Sequence, residues 1–171
     1  TKNKQNSRIL GINPGASYGS AKRWYPEQFA KVAKALSSKF DIFIFGGLGE
    51  KDIAQQIEKY LISNNIFNFK NLAGKTSISE LTNYISNLDI FVTGDSGPMH
   101  LAASLQIPTI AIFGPTNSVE TSQWKNSKSV ILKKNLDCQP CMKRTCPLKH
   151  HNCMKLIEAK EVIDSINLIT R

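Results

Sequence analysis

The chain has 171 residues, a mass of 19.0 kDa and a formal charge of +9. Apolar residues make up 41% and charged residues 20%, enough to fill a sizeable core, which excludes wholesale disorder; the length fits one domain or one complete half of a two-domain protein. No apolar run approaches the ~18 residues that span a bilayer, and the polar start, Thr1-Lys2-Asn3-Lys4-Gln5-Asn6-Ser7, lacks a signal peptide's apolar stretch and reads as a linker following another domain.

In chain order, strand-like and helix-like segments alternate. Arg8-Ile9-Leu10-Gly11-Ile12-Asn13 predicts a buried strand ending at Pro14-Gly15. Pro26-Glu27 opens a helix with Phe29, Val32, Ala33 and Leu36 on one face; an early proline and a first-turn acid suit its unpaired N–H groups and dipole. Residues 41–45 predict a second strand, closed by Gly46-Gly47, and 50–62 a helix carrying Ile53, Ile57 and Leu61. A short strand is expected over 66–69. Ser77-Ile78-Ser79-Glu80 is a capping box that starts a helix through Leu81, Tyr84, Ile85 and Leu88. Strands over 89–93 and 108–113 flank a helix over 96–105, a last strand covers 129–132, and Val162, Ile163, Ile166 and Ile169 mark a C-terminal helix beginning near Ala159. Strands apolar on both faces and alternating with helices predict an α/β, Rossmann-like, doubly wound parallel sheet, with no domain boundary inside the chain.

In such a sheet ligands bind beyond the carboxyl ends of the strands. Those exits read Asn13-Pro14-Gly15-Ala16-Ser17, Gly46-Gly47-Leu48-Gly49, Gly94-Asp95-Ser96-Gly97-Pro98-Met99-His100 and Gly114-Pro115-Thr116. Small residues there let main-chain N–H groups approach a ligand closely. Asp95-Ser96-Gly97 falls where a strand becomes a helix: either Ser96 or Asp95 can cap it, and Gly97 and the following N–H groups suit a diphosphate. The bland reading is a capped helix whose His100 is an ordinary helix residue. Lys22 and Arg23 place cations near the first exit, either to neutralise a diphosphate leaving group or as surface charges beside Trp24. The glycines match no dinucleotide fingerprint and no Walker A loop, which disfavours NAD binding and ATP hydrolysis.

Together these segments resemble the C-terminal domain of the lipopolysaccharide heptosyltransferases, glycosyltransferase family 9. The residues that carry the likeness are 13–17 with Ala21-Lys22-Arg23-Trp24, Leu72-Ala73-Gly74-Lys75-Thr76-Ser77 with Glu80-Leu81, Thr93 through Ala103, and Ile112-Phe113-Gly114-Pro115-Thr116. The resemblance covers nearly the whole chain. It implies the donor-binding half of a GT-B glycosyltransferase, its N-terminal acceptor domain lying outside this chain. It also implies inverting transfer of heptose from ADP-heptose to the lipopolysaccharide inner core, with no cofactor and no metal. The general base is expected from the other domain, so this half alone is expected to bind donor without turnover. Carried over by position, Lys22 contacts the donor phosphates and stabilises the leaving group, and Ala16 and Ser17 meet the same phosphates. Thr76 meets the adenine, Asp95 holds sugar hydroxyls, and Ser96, Gly97 and His100 line the diphosphate side. Glu50 is the candidate for the adenosine ribose, at a displaced spacing. The implied place is the cytoplasm, peripheral at the inner face of the inner membrane of a Gram-negative bacterium.

Two features remain. From Trp124 to Lys155 there are eight cations and one acid, a local +7 that suits an acceptor bearing phosphates at a membrane, or is simply a solvated face. The same region holds all four cysteines, Cys138, Cys141, Cys146 and Cys153, with His150 and His151 among them. Ligands enough for zinc are present, yet only the first pair has knuckle spacing, and free or partly buried thiols are the expectation. The alternatives are a non-catalytic nucleic-acid-binding module, which the scarcity of aromatics among the cations disfavours, and a GT-B transferase using another nucleotide sugar.

Overall fold

The computed structural model describes residues 8–170. Six parallel strands form one sheet in the order β3-β2-β1-β4-β5-β6: β1 (Arg8–Asn13), β2 (Phe40–Ile44), β3 (Phe69–Asn71), β4 (Ile90–Gly94), β5 (Thr109–Ile112) and β6 (Ser129–Leu132). The order reverses between β1 and β4, so their adjacent exits open a crevice at the switch point. Register places Leu10 beside Ile42 and Ile90, and Ile12 beside Ile44 and Val92.

Period-two alternation sends these side chains to one face, where they meet helices α1 (Pro26–Leu36), α2 (Lys51–Ser63) and α7 (Ala159–Ile169). Phe29, Val32, Ala33, Leu36, Ile57, Leu61, Val162 and Ile166 are all buried there. The opposite face is thinner: Phe45, Phe91, Ile85, Leu88, Ala102 and Ile107 pack under α3 (Ile78–Ser86) and α4 (Gly97–Ser104). Gly11 lies on that face, where a Cβ would collide with the Leu88 side chain. Two short helices, α5 (Ser118–Thr121) and α6 (Asn152–Lys155), complete the chain.

The expected strands and long helices are present, most within a residue or two of their predicted ends. The exception is β3, which begins at Phe69, where the 66–69 reading ends. Ile66 is apolar because it fills the core behind the left-handed turn at Asn65, while Phe67 is 69% exposed. The ladder starts only where Phe69 pairs with Ile42. Among the described residues no helix is long and apolar enough to cross a membrane. The polar stretch over 1–7, read as a linker, lies outside the described residues.

Candidate active site

Beyond the exits of β2, β1 and β4 lies a cleft of about 290 Å³. Its walls are the loops the sequence singled out: Gly15, Ala16 and Ser17 from the first exit, Gly46 and Gly47 from the second, and Ser96, Gly97 and Pro98 from the third. Thr76 and Ser77 close one end, and Phe45, Ile78 and Leu81 make an apolar floor. Main chain and hydroxyls on the walls, with apolar carbon below, suit a flat base attached to a polar, charged chain.

Three of the expected site residues stand outside this cleft lining, each for a physical reason. Lys22 points to Asp95, with Nζ 2.7 Å from Oδ2 and the two side chains only 12% and 5% exposed. Asp95 does not cap α4. Its Oδ2 also accepts the Thr116 hydroxyl at 2.7 Å and the Thr121 hydroxyl at 3.3 Å, and three donors on one oxygen fix the carboxylate. His100 is exposed on α4 and does not join the cleft wall. Ser96 occupies the N-cap position of α4 but does not cap it either. Its hydroxyl joins a network with Asn13 Nδ2 (3.3 Å) and Thr93 Oγ1 (3.1 Å) that ties the β1 exit to the β4 exit. Pro98 has no N–H, so the start of α4 offers fewer amide donors than the sequence reading supposed.

Glu50 emerges as a cleft residue. Glu50 closes a tight turn on Gly47: the Gly47 N–H donates to the Glu50 carboxylate and the Glu50 N–H to the Gly47 carbonyl at 3.1 Å, which holds the side chain over the first exit. It is the acid that the resemblance offers for the adenosine ribose, at a displaced spacing. Thr116 stands in the fourth exit that the sequence singles out, but its contact to Asp95, like that of Thr121, joins residues more than 20 positions apart and leaves no local signal.

The turn that carries Lys22 is a single 3-10 turn, Ser20–Lys22, braced from behind by the cysteine segment. Ala21 N–H donates to the Arg144 carbonyl at 3.0 Å, and that carbonyl lies where a Cβ on Gly19 would sit, so only glycine fits. Tyr18 donates to the Met142 carbonyl at 2.9 Å, while Lys22 and Arg144 both lie over its ring, at 4.6 and 4.9 Å. His151 Nε2 lies 2.9 Å from the Ala21 carbonyl, which can only accept, so the proton is on Nε2. The Tyr25 hydroxyl lies within hydrogen-bond distance of His151 Nδ1, at 3.1 Å. Burial, helped by nearby Cys153, Cys146 and Glu27, raises the Tyr25 pKa and keeps that hydroxyl protonated. The segment also reaches the fourth exit, where Met142 N–H donates to the Pro115 carbonyl at 2.8 Å.

The four cysteines are free thiols, with Cys153 buried and the others half-buried. Burial first, then the charges of Cys141, Cys146 and Cys138, push the Cys153 thiol up to about 11. Among the described residues no group of three or more His, Cys, Asp or Glu side chains is arranged to hold a metal ion. The basic region disperses: Lys134 meets both oxygens of Glu161 at 2.9 Å, Lys125 lies over Trp124, and Arg144 lies over Tyr18.

Comparison with known proteins gives consistent matches. The profile of glycosyltransferase family 9 (heptosyltransferase) matches residues 1–152. Lipooligosaccharide heptosyltransferase 2 of Campylobacter jejuni subsp. jejuni serotype O:2 is 48% identical over 162 residues, covering 94% of this chain and 50% of that protein. Lipopolysaccharide heptosyltransferase 2 of Escherichia coli K12 is 32% identical over 124 residues, covering 72% and 36%. The solved structure of E. coli ADP-heptose lps heptosyltransferase II superposes with a TM-score of 0.80 at 25% identity, covering 96% of this chain and 47% of that one. The chain thus spans about half the length of curated relatives that it matches over nearly all of its own length.

Proposed function

The chain belongs to glycosyltransferase family 9, the heptosyltransferases, and on that premise we propose that it is the donor-binding half of an enzyme that transfers heptose from ADP-heptose to the lipopolysaccharide inner core with inversion. The observation that carries this reading is the Lys22–Asp95 pair standing beside a main-chain-lined cleft at the sheet's switch point. In it the adenine lies on Phe45, Ile78 and Leu81 near Thr76, and Glu50 accepts from the ribose hydroxyls. The diphosphate passes between residues 15–17 and the Ser96–Gly97 turn, and the sugar reaches Asp95.

The chemistry follows from charge. Breaking the bond between sugar and diphosphate builds negative charge on the departing ADP, and a pre-placed ammonium lowers that barrier. Lys22 is held by Asp95 until a diphosphate competes for Nζ. Thr116 and Thr121 keep the Asp95 carboxylate hydrogen-bonded as the lysine is shared, so a buried charge is never left bare. His100, exposed on α4, reaches the diphosphate only if the donor extends past the helix start. The general base comes from the N-terminal half of the full-length enzyme, which holds the acceptor. The enzyme works in the cytoplasm of a Gram-negative bacterium, peripheral at the inner face of the inner membrane, and the basic surface of residues 124–155 faces the anionic acceptor layer.

Calorimetry with ADP, UDP and GDP tests this. ADP is expected to bind in preference to the other two. Lys22→Ala and Asp95→Ala are each expected to weaken ADP-heptose binding at least about tenfold, the loss of one charged hydrogen bond. Unchanged affinity in both variants rejects the reading.

A further inference from the structure

Lys22 and Asp95 leave a charge problem at the rim. Their ion pair is short and buried, so as a unit it presents no net charge to an incoming anion. A diphosphate ester brings about two negative charges, and one ammonium already matched by a carboxylate is a poor partner for them. In sequence the nearest further cation is Arg23, but its Nε donates to the Ala16 carbonyl at 3.2 Å and so shapes the loop at the first exit. The cation that remains at this place comes from the cysteine segment.

Resting on the donor reading above, we propose that Arg144 is a second catalytic cation, placed to meet the phosphate that carries the sugar. The first argument is position. Tyr18 directly follows the 15–17 loop that walls the cleft, and its ring seats the Lys22 ammonium at 4.6 Å and the Arg144 guanidinium at 4.9 Å from one centroid. The two cations thus stand at one ring, although one belongs to the first strand exit and the other to the cysteine segment. The second argument is how Arg144 is held. Its carbonyl accepts the Ala21 N–H at 3.0 Å and occupies the space beside Gly19, and two residues earlier the Met142 carbonyl accepts the Tyr18 hydroxyl at 2.9 Å. The backbone is therefore docked on the very turn that carries Lys22, and these bonds do not involve the Arg144 side chain.

The third argument is charge. Among the described residues no carboxylate lies within ion-pair distance of Arg144, and the residue is exposed, so its guanidinium is open to a ligand. Counted with Arg144, the group around Tyr18 and Asp95 is net positive, which supplies what the Lys22–Asp95 pair alone lacks. A guanidinium also presents a planar fork that grips two phosphate oxygens at once, where an ammonium acts as a point charge. With the sugar reaching Asp95, the phosphate nearest Lys22 and Arg144 is the one bonded to the sugar. That phosphate gains negative charge as its bond to the sugar breaks, so a cation there acts on the transition state more than on the bound donor.

The test compares two nucleotides that differ by that phosphate. ADP and AMP are titrated calorimetrically into the wild-type chain, into Arg144→Gln and into Arg144→Lys. Wild type is expected to prefer ADP. Arg144→Gln is expected to weaken ADP about tenfold, as for one charge-assisted contact, while AMP stays within about twofold of wild type. Arg144→Lys keeps the charge and loses the fork, and its ADP affinity is expected to fall between the two. Retained AMP binding is the control for folding, since the main-chain bonds of residue 144 survive either substitution. Equal losses for ADP and AMP would take Arg144 off the sugar-linked phosphate and overturn the proposal, as would an unchanged ADP affinity in Arg144→Gln. A wild-type chain that binds neither nucleotide rejects the donor reading itself and the role of Arg144 with it.

Discussion

Cys153 differs from the other three thiols in burial, and burial governs its chemistry. The thiolate is the reactive form, and moving it out of water disfavours it. With its pKa pushed up to about 11, Cys153 stays protonated at neutral pH. The sign for stability follows. Below the ordinary thiol value of 9.0 both folded and unfolded chains carry the proton, so stability there is complete. Between that value and about 11 the unfolded chain sheds the proton first, and stability is lost as pH rises through the window. Urea unfolding of wild type and Cys153→Ala across this range is expected to show a steeper alkaline decline in wild type. Mass-resolved alkylation at pH 8 is expected to label Cys153 last, and equal labelling rates at all four sites would contradict the assignment. Other residues show how far sequence reaches at this scale. Ala16, Ser17, Ser96 and Gly97 were legible as cleft-lining residues because strand exits in a parallel sheet are where ligands bind, whereas Thr76 was reached only through the family resemblance. Lys22 and Asp95 were each legible, but their pairing was not: they are 73 positions apart and meet only through the fold. The hydroxyls of Thr116 and Thr121, and the outward placement of His100, leave no trace in local pattern.

Elements differ in how much of their cause lies within them. Helix α3 was readable from Ser77 and Glu80 alone, and both halves of that box form: Glu80 N–H donates to Ser77 Oγ at 3.2 Å and Ser77 N–H to Glu80 Oε2 at 2.8 Å. Edge strand β3 was displaced in the reading because its pairing is main chain only and its sequence, Phe-Lys-Asn, is mostly polar. Helices α5 and α6 span four residues each, too short for any period to show. Helix α7 combines local and distant causes through Glu161. Its Oε1 accepts from Glu158 N–H at 2.9 Å, closing the first turn, and both oxygens accept from Lys134 just past β6. Burial works to raise the Glu161 pKa, but the Glu158 N–H and the Lys134 ammonium outweigh it and lower it. A lowered carboxyl pKa contributes stability above the unfolded value of 4.5 that is lost as pH falls through the folded one. Glu161→Gln keeps a cap acceptor and removes the charge, so a loss of under about 1 kcal/mol is expected for a half-exposed pair. Glu161→Ala removes both and is expected to cost about 1–2 kcal/mol. Equal effects in chemical denaturation would mean that the cap contributes nothing.

For the molecule as a whole, the question is whether its +9 charge or its shaped rim captures an anion. The two give opposite responses to salt. Diffuse attraction between exposed charges decays over about 10 Å at 0.1 M salt and about 3 Å at 1 M, so binding by net charge collapses over that range. A cleft walled by main chain, with Lys22 beside it only 12% exposed, loses far less, because its contacts are short and shielded from ions. A ligand that binds only the folded chain stabilises it by about 2.7 kcal/mol at a hundredfold excess over its Kd, which for a chain of this size raises Tm by roughly 5–10 °C. ADP at that excess is therefore expected to raise Tm by this amount at 0.1 M salt and to keep most of the shift in ~1 M salt. Lys22→Ala is expected to reduce the shift at both concentrations. A shift that vanishes in high salt, or that any polyanion reproduces, would assign the binding to the basic surface of residues 124–155 and leave the cleft without a role. Under the proposed function the shift also separates binding from turnover: an ADP-heptose shift without release of ADP from this chain, with release restored in the full-length protein, assigns the base that activates the acceptor to residues outside this chain.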